Sequence, residues 1–143
     1  MSALHCREVS TPAERAACFA IRRQVFVEEQ NMFDGDDRDE HDEIAIHYAA
    51  LQGDEIIGTV RIFRDSAGVW WGGRLAVLKR CRGRAGRMLI RACVERVRSE
   101  GGAHFRAFVQ QDNVAFFKTL DWRAIGEPVM IGNRPHQVME ARL

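Results

Sequence analysis

A chain of 143 residues with 46% hydrophobic side chains and a net charge of +1 has the length for one domain, residues 1–143, with a real core. So small a total charge excludes binding to nucleic acid by bulk electrostatics, and apolar runs far shorter than the ~20 residues of a membrane helix exclude a span. Four cysteines (6, 18, 81, 93) form no C-x-x-C pair, and the N-terminus lacks the charged-then-apolar layout of a secretory signal. A reduced, cytoplasmic chain without a disulfide framework or zinc site is expected.

In chain order, residues 5–9 are a short first strand. Thr11-Pro12-Ala13-Glu14 is a capping-box pattern with proline at the first helical position, and Ala17, Ile21 and Val25 follow at helical spacing. This predicts a helix over 12–29, with Arg22 and Arg23 off the apolar stripe and solvated. Residues 31–43 are acidic and contain glycine, so they read as a loop. Strands 44–51 and 56–63 are joined by the hairpin signal Gln52-Gly53-Asp54-Glu55. A third strand, 69–78, is interrupted by Gly72-Gly73, the mark of a bulge or a close backbone approach.

Leu89, Ile90, Cys93, Val94 and Val97 give a second amphipathic helix over 86–100, stopped by Gly101-Gly102. A strand over 104–109, a short helix over 113–120 and strands over 122–125 and 137–142 complete the chain. The order β-α-β-β-β-α-β-α-β-β predicts an α+β fold, a mixed sheet packed by helices, and excludes a pure doubly wound one.

Charge is unevenly distributed. Residues 28–43 hold nine acids and one arginine, whereas 79–98 hold eight basic residues and one acid. The basic run coincides with a strand, a loop containing Gly83 and Gly86, and a helix start. Free backbone N–H groups and a positive dipole end at such a junction suit a phosphate, and Arg80, Arg82, Arg84 and Arg87 add charge around it. A diphosphate cradle is expected there.

Three segments carry a family resemblance. They are Leu75-Ala76-Val77 followed by the arginine–glycine turn and Gly86-Arg87-Met88-Leu89-Ile90; Gln111-Asp112-Asn113 leading to Leu120-Asp121-Trp122; and Val25-Phe26-Val27-Glu28-Glu29-Gln30 with the acidic loop and Ala45-Ile46-His47. Together with the element order they resemble the GNAT superfamily of acyl-CoA-dependent N-acyltransferases. The third segment is similar to a small subgroup with Val-Phe-Val-x-Glu-Gln, some of them encoded beside nitrilase-type gene clusters. The resemblance implies a mostly antiparallel, twisted sheet of about six or seven strands with helices on both faces.

It also implies acetyl-CoA or another acyl-CoA as co-substrate, lying between strands 69–78 and 103–109. Leu75, Ala76 and Val77 would hold the pantetheine arm and thioester carbonyl, and Arg82, Gly83, Arg84, Ala85, Gly86 and Arg87 the diphosphate. Counted from the helix, Arg80 opens the turn; counted from Val77, Arg82 does. Asn113 is either a helix N-cap or a CoA contact. Where many relatives carry a tyrosine to protonate the departing thiolate, this chain has Phe117, and its only tyrosine is Tyr48.

The implied reaction is direct attack by a small-molecule amine, with Glu29 and His47 equal candidates for general base. Asp39 and Asp42 could bind a cationic acceptor, or the acidic stretch is a solvated loop. His41 and His136 read as surface positions, Trp70-Trp71 as sheet packing, and no histidine pair has metal-ligand spacing. A homodimer is compatible with the resemblance. The competing functions are a non-catalytic CoA-binding regulatory module, an acyl-homoserine-lactone-synthase-like enzyme, and a nucleic-acid-binding domain using 79–98.

Overall fold

The Thr11 side chain accepts the Glu14 N–H at 3.1 Å, and Glu14 accepts the Ser10 N–H at 3.0 Å. With Pro12 at the first position, that reciprocal cap starts α1 (Pro12–Arg22) in a computed structural model that describes residues 3–143. Past Arg22 the helix widens into π turns over Arg23–Glu29, ended by a Gln30 N–H to Val25 C=O bond. The predicted helix over 12–29 is therefore two segments of different pitch, whose buried face carries Cys18, Ile21, Arg22, Val25 and Phe26.

The strands are β1 (Leu4–Glu8), β2 (Ile46–Gln52), β3 (Glu55–Arg64), β4 (Trp70–Val77), β5 (Phe105–Gln110), β6 (Trp122–Ala124), β7 (Val129–Ile131) and β8 (Arg134–Ala141). They form one eight-stranded sheet in the order β1-β2-β3-β4-β5-β8-β6, with β7 on β8. Every pairing is antiparallel except β4 with β5. The expected α+β sheet is thus present, with β7 as a strand that the polar, glycine-flanked sequence around it concealed.

Helix α2 (Arg84–Ser99) covers one face. Its Leu89, Ile90, Cys93 and Val97 pack on Val60, Ile62, Trp70 and Val77 in the main core. The opposite face holds α1 and the π segment, over Ala49, Leu51 and Ala76. Neighbouring residues of one strand (Ala76 and Val77, for example) enter different cores, as strand alternation requires. A short helix, α3 (Val114–Lys118), follows β5 and adds Val114 and Phe117 to the main core.

Asp34, Asp36, Glu40 and Glu43 of the acidic loop are exposed, as a solvated loop requires, but Asp37, Asp39 and Asp42 are turned inward and are not free to bind a cation. Arg22 is 1% exposed and meets Asp37 at 2.8 Å and both Asp42 oxygens at 2.7 and 3.0 Å. Arg61 on β3 bonds Asp39 and Asp42, and Arg74 on β4 bonds the Asp37 carbonyl and Asp39. Three arginines thereby neutralise Asp37, Asp39 and Asp42, and this corrects both the solvated Arg22 and the cation-binding role for Asp39 and Asp42. A short 3-10 turn over Glu40–Glu43, capped by Asp39, locks the loop.

Candidate active site

The sheet is split where the site lies. Parallel pairing of β4 with β5 covers only Trp70–Phe105, Trp71–Arg106 and Gly72–Ala107. Beyond these pairs β4 stays on β3 and β5 turns to β8, so from Gly73 onward β4 has a strand on one side only. A Cβ on Gly72 would meet the Phe105 ring at 3.1 Å, which is the close approach that the glycine pair signals. The bulge comes two residues later. Arg74 sits at φ +54°, and the β3–β4 register shifts between Thr59 and Arg61.

Each diverging strand leads into a helix. A 3-10 turn over Lys79–Cys81 and Gly83, at φ +105°, bring the chain into α2, whose first backbone bond runs from Arg87 N–H to Gly83 C=O. Among the described residues no side chain caps this end, and the amides of Arg84, Ala85 and Gly86 carry no backbone partner. Arg87 lies 6.0 Å from the Phe116 ring of α3, so the first turns of α2 and α3 face one another. Arg80 pairs with Glu55 at 2.6 Å, away from the split. Arg82 donates to the Val77 carbonyl at 3.1 Å and to Glu29 at 2.8 Å.

A cavity of about 480 Å³ occupies the split. Leu75, Asn113 and Phe117 line it, whereas the side chains of Ala76 and Val77 turn into the two cores. Asn113 stands at the N-cap position of α3, but its side chain makes no capping bond there. On the α1 side the floor is aromatic, with Trp71 stacked on Phe108 at 5.3 Å and Phe63 on His41 at 4.3 Å. Asp39, Arg61 and Arg74 edge the same side. Gln110 bonds Gln30 at 2.9 Å, and the backbone of Met32 lies against Gly132 of the β7–β8 turn, closing the wall.

Neither expected base lines this cavity. The Glu29 carboxylate is on Arg82, at the turn that leads into α2. His47 is buried on the α1 side, with Nε2 3.0 Å from the Asp42 carbonyl and its ring edge-on to Phe19. Burial pushes its pKa below the ordinary histidine value. Tyr48 points elsewhere, its hydroxyl near Arg96 in the main core.

His136, expected at the surface, is instead 4% exposed and lines the cavity. It pairs with Gln110 across β5–β8, on the α1 side of the sheet. Its Nδ1–H donates to the Arg134 carbonyl at 2.9 Å, and among the described residues Nε2 carries no hydrogen bond. Burial lowers its pKa and keeps the ring neutral, with Nε2 as an acceptor. Asp39 and Asp65 also line the cavity, but Asp39 is tied to arginines and Asp65 to Trp71 Nε1 and backbone amides.

The acetyltransferase (GNAT) family model matches residues 13–122. A Bacillus subtilis (strain 168) protein named "Putative acetyltransferase BSU40680" is 26% identical over 140 residues, 95% of each chain. The crystal structure of a "putative N-acetyltransferase" from Lactobacillus plantarum superposes with TM-score 0.85 at 26% identity, covering 97% of each chain. The CoA-dependent acyl-homoserine lactone synthase BjaI, solved with MTA, shares the fold at TM-score 0.80 and 17% identity, over 96% of this chain and 82% of its own.

Proposed function

Because the chain belongs to the acetyltransferase (GNAT) family, we propose that it moves an acyl group from acyl-CoA to the amine of a small acceptor. The observation that carries this reading is the split itself: two strands part at Gly72 and Ala107, and each leads to a helix whose first turn faces the other. In this reading the diphosphate takes the free amides of Arg84, Ala85 and Gly86, with Gly83 shaping the turn and Arg82, Arg84 and Arg87 supplying charge. Glu29 then competes with the diphosphate for Arg82. Pantetheine follows the one-sided edge of β4 at Leu75, Ala76 and Val77, with Asn113 and Phe117 as the opposite wall.

The acceptor enters from the α1 side, over the aromatic floor. His136 Nε2 takes a proton from the amine as its nitrogen bonds to the acyl carbon and the carbon–sulfur bond breaks. Phe117 has no proton to give, so water protonates the thiolate. Rate comes mainly from alignment of the two reactants, which requires no enzyme nucleophile. Cys93, the one cysteine lining the cavity, is unsuited to that role because burial pushes its thiol pKa up.

Phe117 also favours a second reading, a module that binds CoA without turnover. Thermal unfolding with free CoA and acetyl-CoA tests what the two share, since a ligand at 100 times its dissociation constant adds about 2.7 kcal/mol. Release of free thiol against a panel of small amines, an acyl-homoserine lactone among the products sought, then separates enzyme from module. No shift with CoA or any acyl-CoA ends both readings.

A further inference from the structure

The cavity does not stop at the split but continues beneath α2 into the main core. Val60, Ile90, Cys93, Phe105, Phe117 and Trp122 belong to that core and line the cavity as well. Protein interiors normally close such space, and an apolar volume left open takes apolar guests. The charged side chains of the cavity lie elsewhere. Arg61 pairs with Gly73, and Phe63 with Trp71, on the face opposite Gly72, whose absent Cβ points to Phe105 and Ile62. The two sides of the sheet thus offer different chemistry, polar and aromatic toward α1 and apolar toward α2 apart from the Trp122 indole N–H, which has no hydrogen-bond partner among the described residues.

Building on the acyl-CoA reading above, we propose that the inner half of this cavity is an acyl-chain pocket, and that the donor is a medium-chain acyl-CoA rather than acetyl-CoA. A thioester carbonyl in the split would send its alkyl chain between Phe105 and Ile90 under α2, while the amine arrives on the α1 side beside His136. The reaction is the same transfer: the nitrogen–carbon bond forms, the carbon–sulfur bond breaks, and the amine proton goes to His136. An acetyl group would leave the inner volume unfilled.

Affinity should therefore rise with chain length. Each methylene buried in the pocket tightens binding about fourfold, so hexanoyl-CoA should bind on the order of a hundredfold more tightly than acetyl-CoA. Calorimetric titration of the full chain with free CoA and with acetyl-, butyryl-, hexanoyl-, octanoyl- and dodecanoyl-CoA measures this directly. A rise through hexanoyl-CoA followed by a plateau or fall is expected. Equal affinity from acetyl to octanoyl, or a fall starting at butyryl, overturns the pocket while leaving the acyl-CoA reading intact. If free CoA and every thioester fail to bind, both fall. Cys93→Leu, which places bulk into the inner volume, should flatten the length dependence and leave affinity for free CoA unchanged. Should that variant not fold, the titration of the unmodified protein still decides.

Discussion

Replacing Arg22 by methionine tests the buried ion network on which the acidic loop is folded. The substitution retains much of the side chain's bulk and removes its charge. Asp37, 2% exposed, is then left with Arg74, and Asp42, 3% exposed, with Arg61 and the Asp39 amide. Removing one partner of a buried ion pair costs about 3–5 kcal/mol, because the remaining charge stays out of water. For a chain of this size each kcal/mol lowers Tm by about 2–4 °C, so a fall of about 10 °C is expected. Urea unfolding at pH 7 should show a lower midpoint at unchanged slope.

The acid side supplies a sign. Burial alone would raise the Asp42 pKa, but hydrogen bonds from Arg22 and Arg61 hold it well below the usual carboxylate range. A group with a depressed folded pKa stabilises fully above its unfolded value, about 4, and that stability is lost as pH falls toward the folded value. The gap between wild type and Arg22→Met should therefore narrow below about pH 4. A loss under about 1 kcal/mol at pH 7, the size of an exposed pair, or a gap that widens in acid would refute the buried-network argument.

Three further outcomes test the site. Gly83→Ala puts a side chain at φ +105°, so about 1–3 kcal/mol of strain is expected at the α2 start together with weaker CoA binding; an unchanged Tm and CoA affinity would show that the turn does not depend on glycine. Glu29→Gln frees Arg82 and should tighten CoA binding severalfold with kcat unaltered; a fall in kcat on the order of 10²–10⁴ would return the base role to Glu29. His136→Gln should lower kcat/KM by on the order of 10²–10⁴. In the wild type, burial lowers the His136 pKa below its ordinary 6.5, so activity should hold at neutral pH and drop as pH falls through that lowered value. An acid limb that persists unchanged in the variant would place the base elsewhere.

The sequence exposes what depends on neighbours along the chain. The capping pattern at Thr11 and Glu14, the period of α2 and the glycine–arginine turn all appear in the structure near their predicted places, because a cap, a stripe or a turn is decided within a few residues. The burial of Arg22 is hidden from the sequence for the opposite reason. It lies four residues from both Cys18 and Phe26 on the buried face, but a charged residue is assigned to solvent unless its partners are known, and those partners arrive 15 and 20 positions later. The pairing of an acidic loop with unexplained arginines at 22, 61 and 74 was the available signal.

His136 shows the same limit at a strand. Predicted to begin at 137, β8 begins at Arg134, and the three added residues put His136 in alternation with Val138, opposite Phe108 and on the α1 side. Sequence alone offers Arg134-Pro135-His136 after a glycine turn, which reads as loop because proline leaves a strand only at an edge or a start. Register with β5, fixed by Gln110, is what converts an ordinary-looking histidine into one facing the split. By the same logic Ala107 and Gly72 set where the sheet parts. The side chains that line the cavity therefore follow from strand register, and a shift of one residue in β8 would exchange His136 for Gln137 and take the imidazole and its Nε2 out of the cavity altogether.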